Sequence, residues 1–200
     1  MGYRNAFAVS ALAGLASTLA LGAPPVDDSE ALPRNMTEAE ARYVEQNPLW
    51  LERGFTPPPE YPVRAAAEYE PMDAIIFAWQ GLSSWQQIIV QMVRHITTTG
   101  EADAVVYVEN TSSISFVTNQ IAAGGADMSR VQIYARNLDS IWMRDYGPRY
   151  VYEGDVRAIV DHTYNRPRPN DNLLNAFHSS VFRHTRYEIP LVHGGGNYHL

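Results

Sequence analysis

The feature that most constrains the fold is a regular alternation of strand-like and helix-like segments that begins at residue 63. The run "DAIIFAW" at 73–79 has the β-branched and aromatic content of a buried strand. Residues 83–100 follow, with apolar positions at helical spacing, a serine predicted to cap the first turn and Gly100 able to end it. A second strand, a second helix and a third strand are predicted at 103–109, 112–125 and 130–135.

The next part of the chain predicts a hairpin. Two strand-like segments, 149–153 and 156–164, flank the turn dipeptide Gly154-Asp155. Residues 173–184 can form a helix, and "YEIPLV" a further strand that ends at "HGGGN". Strands alternating with helices, with an inserted hairpin, predict an α/β domain over residues 63–200.

The N-terminal residues 1–23 resemble a cleaved signal peptide. "MGYRN" carries one positive side chain and precedes an uncharged run with small residues at candidate cleavage positions. The alternative is a membrane anchor, since the run approaches the length of a spanning helix. Its Ala, Gly, Ser and Thr content favours the signal, and therefore a secreted protein with no membrane contact after cleavage.

Residues 24–62 are expected to form a Pro-rich, acidic lead-in that lies mostly outside the core. Within it, Thr37 and Glu40 have the spacing of a capping box, which predicts a short helix that stops before Pro48. "FTPPPEYP" then indicates either a stiff linker or an arm that lies on the domain.

Composition excludes several classes of function. The formal net charge is -7 and no Lys/Arg-rich run interrupts it, so no nucleic-acid partner is expected. All basic residues are arginine. Cysteine is absent, which excludes a disulfide, a thiolate metal site and a cysteine nucleophile within these 200 residues.

The first candidate segment for ligand binding is "NLDSIWMRDYGPRYVYE". It places Trp142, Arg144, Asp145 and Tyr146 on a connection after a strand, where α/β proteins carry ligand groups. The alternative is structural: Asp145 could cap a turn or pair with Arg144.

The second segment, "VHGGGNYHL", contains three consecutive glycines, which permit positive φ and a close approach of the backbone to another group. A tight turn is the alternative. His193 and His199 do not predict a metal site, because no carboxylate or third histidine stands at ligand spacing. No cofactor motif is present either, since no phosphate-loop residues follow the glycines.

The third segment, "YNRPRPNDN", places Arg166 and Arg168 each before a proline. The prolines favour an extended, stiffened backbone at both arginines. Paired guanidinium groups in such a loop suit a carboxylate or phosphate. The alternatives are a proline-rich docking motif, or arginines that pair with acidic groups of the protein itself.

Together with "VRAAAEYEPMDAIIFAW", these segments resemble the agmatine deiminase and bacterial-type peptidylarginine deiminase group, from Val63 to the end. "WMRDYGP", "YNRPRPND" and "GGN" follow in that group's order. The resemblance implies a pentein-type α/β propeller with five blades of ββαβ units. These 200 residues would supply the first two to three blades.

The resemblance also implies the chemistry, which is hydrolysis of a guanidinium to a urea group and ammonia. Asp145 matches the guanidinium-binding aspartate of the W-x-R-D motif that begins at Trp142, and Asn197 lies in the matching "GGN". Arg166 and Arg168 match the pair that receives the α-carboxylate of a C-terminal arginine. The implied partner is an arginine-containing peptide or a small guanidino substrate, with no metal or cofactor.

One departure from the group's pattern bears on the substrate. Agmatine enzymes carry "EGGS" where this chain has "GGGN", so their substrate-binding glutamate would fall at Gly194. Agmatine also lacks a carboxylate for the two arginines. Both points favour C-terminal peptidyl-arginine, with agmatine deimination in putrescine biosynthesis as the alternative.

A second departure concerns catalysis. The group's His-x-Asp motif and catalytic cysteine lie C-terminal to the glycine turn, and neither occurs in these 200 residues. The expectation is a fragment, a truncated gene model or an inactive remnant of a deiminase. A different class also stays open: a non-catalytic secreted protein that binds arginine-rich partners through Asp145 and neighbouring acids.

Overall fold

The computed structural model describes residues 31–48, 54–67 and 69–197, so the predicted signal peptide lies outside the described residues. In this described part of the chain, seven strands form two sheets: β1 (Val63–Ala65), β2 (Ala74–Ala78), β3 (Asp103–Val108), β4 (Val131–Ala135), β5 (Arg149–Glu153), β6 (Val156–Tyr164) and β7 (Thr185–His193). The helices are α1 (Glu38–Gln46), α2 (Ser83–Thr98), α3 (Ser113–Ala123), α4 (Met143–Tyr146), α5 (Pro169–Asn172) and α6 (Leu174–Phe182). Short 3-10 helices within the described residues span Met128–Arg130 and Gly195–Asn197.

The first sheet is parallel, with the order β2-β3-β4. Successive side chains of β3 point to opposite faces, so the central strand is buried on both sides. Val106 and Val108 pack with Val93 of α2 and with Val117 and Ile121 of α3. The opposite face directs side chains, Tyr107 among them, into a second core cluster. The predicted strand–helix alternation over 73–135 is confirmed.

The second sheet is mixed, with the order β1-β5-β6-β7. β5 and β6 pair in antiparallel fashion around Gly154, whose φ of 57° suits glycine in a tight hairpin turn. β6 and β7 are parallel and are joined by α5 and α6. The predicted hairpin is confirmed, and β5, β6, α6 and β7 follow one another as a ββαβ unit.

Two local predictions are wrong in detail. The N-cap of α2 is Leu82, with no side-chain hydrogen bond, so the predicted serine cap is absent. The helix predicted at 173–184 is shorter, and α5 precedes it as a separate turn with Pro169 at its start. Proline lacks an N–H and is compatible with a first helical turn, which explains why the helical path begins earlier than predicted.

The lead-in forms the predicted helix, but part of it packs against the domain. Thr37 and Glu40 make a complete capping box at the start of α1, and the helix ends before Pro48. Glu40 is only 5% exposed, whereas the other described residues of the lead-in are exposed or partly exposed. The proline-rich segment lies on the domain as an arm, because the Thr56 N–H donates to the Glu188 carbonyl (3.0 Å).

The two sheets are joined by a buried hydrogen-bond network through His178 of α6. Tyr107 of β3 lies 2.6 Å from Nδ1 of His178, and Tyr150 of β5 lies 2.7 Å from Nε2. Burial, with a smaller contribution from His184, lowers the pKa of His178 to about 4. Within the described part of the chain, no helix is long and apolar enough to cross a membrane.

Candidate functional site

Asp145 lies on α4, the single helical turn between β4 and β5, and is 4% exposed. The following residue, Tyr146, is fully buried in the second core cluster and donates its hydroxyl to the Ser140 carbonyl (2.5 Å). Its ring packs against Tyr164 of β6. The buried tyrosine therefore fixes the turn, and the turn fixes the position of the Asp145 carboxylate.

The loop before α4 is held by two acids that sequence reasoning missed. Asp171 of α5 accepts hydrogen bonds from the N–H groups of Asp139 (2.8 Å) and Ser140 (3.1 Å). Asp139 in turn accepts from the backbone N–H of Asn170 (2.8 Å). Asp139 and Asp171 thus connect the "NLDS" loop to the "RPRPND" loop.

Burial, together with the neighbouring Asp139 carboxylate, raises the pKa of Asp171 to about 7. Hydrogen bonds from Ser140 and from the Asp139 and Ser140 backbone limit that rise. The sequence gave only a weak indication of these contacts. Acids next to turn residues often accept backbone N–H groups, but no local pattern indicates that these two loops meet.

The glycine run approaches the α4 turn closely. A Cβ on Gly195 would lie 1.4 Å from Arg149 Nη2 and 2.5 Å from the Arg144 carbonyl, and one on Gly196 would lie 2.8 Å from Asp145 Oδ1. None of the three consecutive glycines has a positive φ. The run therefore serves close approach rather than unusual backbone conformation.

Asn197 is the last residue of the Gly195–Asn197 turn, so its backbone follows directly after the glycine beside Asp145. Its proposed substrate contact stays a prediction. His199 lies outside the described residues. Among the residues that the structure describes, no group of three or more His, Asp or Glu side chains could hold a metal ion.

Arg168 is buried, at 2% exposure, and pairs with a carboxylate of the protein itself. Its Nε donates to Glu40 Oε1 at 2.8 Å, and its Nη2 donates to the carbonyls of Pro33 (2.6 Å) and Asn35 (3.2 Å). Nη1 is buried without a hydrogen-bond partner in the described structure. In this arrangement Arg168 pairs with a carboxylate of the protein itself, which is one of the alternatives that the sequence left open, and its proposed substrate contact stays a prediction.

Burial raises the pKa of Glu40, but the hydrogen bond from Arg168 and those from Thr37 outweigh it, and the net pKa lies below its ordinary value. Glu40 therefore has two functions. It completes the capping box of α1 and is the counter-ion of Arg168. The capping spacing was visible in the sequence, whereas the pairing across 128 positions was not.

Arg166 is half-buried and makes weaker contacts. Its Nη1 donates to Asn165 Oδ1 (2.8 Å), and its Nε donates to the Arg34 carbonyl (3.2 Å). Trp142 lies at the same place: its indole Nε1 donates to the Leu32 carbonyl (2.9 Å), and its ring meets Trp85 edge-on at 5.8 Å.

A guanidinium already lies beside Asp145. Nε of Arg34 is 3.4 Å from Asp145 Oδ2, and Arg34 Nη2 lies against the backbone of Gly196. The structure thus brings Trp142, Asp145, Arg166 and Arg168 together around residues 32–35. Arg34 was not predicted from the sequence, because a single arginine in a polar lead-in has no local signature.

Fold and site together define an α/β protein with a buried carboxylate that is in contact with a guanidinium. The family model for Porphyromonas-type peptidyl-arginine deiminases matches residues 64–200, more than half of the chain. The chain belongs to this family, whose members are hydrolases that act on C–N bonds of guanidino groups.

Individual relatives agree with this assignment. A curated protein of Photobacterium profundum, provisionally named agmatine deiminase, is 26% identical over 164 residues, covering 72% of this chain and 43% of the relative. The crystal structure of a protein provisionally assigned as an agmatine deiminase superposes with a TM-score of 0.61 at 18% identity, covering 69% of this chain and 42% of that one. The C. jejuni agmatine deiminase gives 0.52 at 15% identity, covering 67% and 41%. The chain therefore spans less than half the length of these relatives.

Proposed function

We propose that this chain supplies the guanidinium-binding part of a deiminase that converts arginine groups to citrulline and ammonia. The observation that carries the proposal is the Asp145 carboxylate, almost fully buried and in contact with a guanidinium at 3.4 Å. A guanidinium stays protonated at any working pH, so a buried carboxylate is the natural group to hold it. Family membership supports the same assignment.

The chemistry requires a nucleophile that these 200 residues lack. In the proposed reaction a thiolate attacks the central guanidinium carbon, and ammonia leaves after receiving a proton. Water then displaces the sulfur and leaves a urea group. The sequence contains no cysteine, so we place the thiolate, the His-x-Asp pair and the second aspartate in a longer protein that carries this chain.

We further propose that the two sheets are the first blades of a propeller. The ββαβ order of β5, β6, α6 and β7 supports this, as does the likeness to deiminase structures. Residues 1–23 would be removed as a signal peptide, residues 24–62 would form the lead-in, and the mature protein would act outside the cell.

Among substrates we favour a C-terminal peptidyl-arginine over agmatine. A Cβ at Gly194 would lie 2.8 Å from Asn165 Oδ1, so this turn does not accommodate the glutamate of the agmatine enzymes without a shift of Asn165. Of the two motif arginines, Arg166 is the more accessible for a substrate carboxylate. Arg168 could join it only after exchanging Glu40 and the carbonyls that it now holds.

A second candidate function is arginine-peptide binding without turnover. It is favoured by one observation: the described site holds a guanidinium although the chain has no cysteine. If a diffuse acidic surface is responsible, binding of an arginine peptide survives Asp145→Ala. Loss of binding on that single substitution assigns the interaction to the pocket instead.

The test of the enzyme proposal is ammonia and citrulline release by the longer protein from a peptide ending in arginine and from agmatine. We expect turnover of the peptide, slower turnover of agmatine, and none of either by the 200-residue chain. Citrulline formed by the short chain alone contradicts the requirement for an external thiolate. The coding sequence beyond codon 200 provides a direct check for a His-x-Asp and a downstream cysteine.

A further inference from the structure

Residues 32–35 are held by three side chains of the candidate site. The Leu32 carbonyl accepts from Trp142 Nε1, the Arg34 carbonyl accepts from Arg166 Nε, and the Pro33 and Asn35 carbonyls accept from Arg168 Nη2. Every main-chain carbonyl of this short segment is therefore bound. The donors are three of the residues for which the sequence predicted substrate contacts.

The Arg34 side chain of the same segment lies where a substrate guanidinium is proposed to bind, beside Asp145. Arg34 Nε lies 3.4 Å from Asp145 Oδ2, and Arg34 Nη2 lies 1.9 Å from the point where a Cβ on Gly196 would stand. The guanidinium therefore lies between the buried carboxylate and the glycine turn. A side chain at position 196 would exclude it.

We propose that residues 32–35 are a built-in ligand of the candidate site, with Arg34 in the guanidinium position and its flanking peptide groups on Trp142, Arg166 and Arg168. An incoming ligand of the same class, an arginine inside an extended peptide, must displace this segment. The inference rests on the proposed role of Asp145 in guanidinium binding. It adds that the site is self-occupied.

The contacts indicate that the Arg34 side chain can be displaced, whereas the neighbouring Glu40 stays fixed to the domain. The Arg34 side chain is 53% exposed and makes one long contact with Asp145, and exposed ion pairs are weak. Glu40, a few residues further on, is buried against Arg168 and keeps the segment near the site. A tethered ligand has an effective concentration in the millimolar range, so even a weak contact competes with a free peptide.

The direct test uses the 200-residue chain and the capped peptide acetyl-Leu-Pro-Arg-Asn-amide, which copies residues 32–35 and has no terminal charges. We expect Arg34→Ala to bind the peptide about threefold to tenfold more tightly than the unchanged chain, by calorimetry. Arg42→Ala is the matched control, because Arg42 lies in the same lead-in and pairs only with exposed Glu38 in the described structure. Its affinity should equal that of the unchanged chain.

Adding Asp145→Asn to Arg34→Ala should remove the gain. Equal affinities of the unchanged chain and Arg34→Ala, no binding by either, or a gain that survives Asp145→Asn would each overturn the proposal. These results are distinct from failure of the enzyme proposal. If turnover by the longer protein requires Asp145 but Arg34→Ala has no effect on peptide binding, only self-occupancy is contradicted. If Arg34→Ala binds the peptide more tightly but the longer protein shows no turnover, only the enzyme proposal is contradicted.

A second readout does not depend on the peptide. The chain has no lysine, so trypsin cuts only after arginine, and cleavage between Arg34 and Asn35 requires the segment to leave the site. Asp145→Asn should speed this cut at least about threefold and leave cleavage after Arg42 unchanged. Equal rates at Arg34 in both proteins would contradict self-occupancy.

Discussion

At the scale of single residues, neighbouring arginines of one motif have different surroundings. Arg168 is buried against Glu40, whereas Arg166 is half-buried and contacts Asn165 and the Arg34 carbonyl. The sequence indicated that both suit a carboxylate, because each guanidinium precedes a proline in a stiff loop. It could not indicate that one of the carboxylates belongs to the lead-in, since that partner lies 128 positions away.

This difference predicts different effects of substitution. Arg168→Ala leaves Glu40 buried without its counter-ion, so we expect a loss of about 3–5 kcal/mol in the free energy of unfolding. Arg166→Ala should change that free energy by less than about 1 kcal/mol. Urea denaturation of both variants measures the contrast. Equal losses would show that Arg168 is not the anchor of α1.

In the longer protein, Arg166→Ala should weaken kcat/KM for a C-terminal arginine peptide by about tenfold or more and leave agmatine turnover nearly unchanged. The reason is that agmatine has no carboxylate. Arg166→Lys should rescue poorly, because an ammonium cannot reproduce a planar two-pronged contact. Parallel losses for the two substrates would exclude a carboxylate-binding role.

At the scale of elements, the sequence pattern predicted most helices and strands, but it did not predict the contacts between the loops that connect them. Apolar residues at helical spacing located α2 and α3, which each pack one face in a core, and runs of β-branched and aromatic residues located the strands of the parallel sheet. The interlock of Asp139 with Asp171 was not predictable, since it depends on how two loops meet in space. The glycine run was recognised as exceptional, but only the structure distinguishes close approach from positive φ.

The close approach at the glycine run leads to a prediction. Gly195→Ala places a Cβ 2.5 Å from the Arg144 carbonyl, a backbone atom that cannot move without shifting α4. We expect a loss of about 2 kcal/mol or more in stability, together with loss of arginine-peptide binding. Gly154→Ala is the control: it has open space around its Cβ and a φ of 57°, so its cost should be about 1 kcal/mol, with binding intact. Equal outcomes for the two variants would contradict the packing role of the run.

At the scale of the whole molecule, the buried network around His178 holds the two sheets together. Tyr107 comes from the parallel sheet and Tyr150 from the mixed sheet, and both hydroxyls lie within hydrogen-bond distance of the same imidazole. The sequence predicted the strands that carry these tyrosines. The alternation of strands and helices is by itself compatible with one continuous sheet, and only the resemblance to the deiminase group implied separate blades.

The network predicts a pH dependence of stability. The pKa of His178 is about 4 in the folded chain and 6.5 as its ordinary value, so the folded state binds fewer protons between these limits. Its contribution to stability is therefore present above pH 6.5 and is lost as pH falls towards 4, by about 2–3 kcal/mol. Asp171, with a pKa raised to about 7, contributes the opposite slope.

The contribution of His178 to the pH dependence of stability is measured by comparing the unchanged chain with a variant that lacks the imidazole. The unfolding free energy of the unchanged chain minus that of His178→Gln should fall by about 2–3 kcal/mol between pH 6.5 and 4. The glutamine variant removes the titrating group and keeps a polar side chain, so the Asp171 slope cancels. A difference that is constant with pH would show that the imidazole does not stay neutral in the folded protein.

Asp145 is the carboxylate proposed to bind the substrate guanidinium, and its replacement in the longer protein is the most direct test of that role. Asp145→Asn keeps the shape of the side chain and removes its charge, so kcat/KM for a C-terminal arginine peptide should fall at least about a hundredfold. Asp155→Asn, at the exposed hairpin turn, should leave it unchanged. Turnover by Asp145→Asn within a few-fold of the unchanged protein would contradict the account.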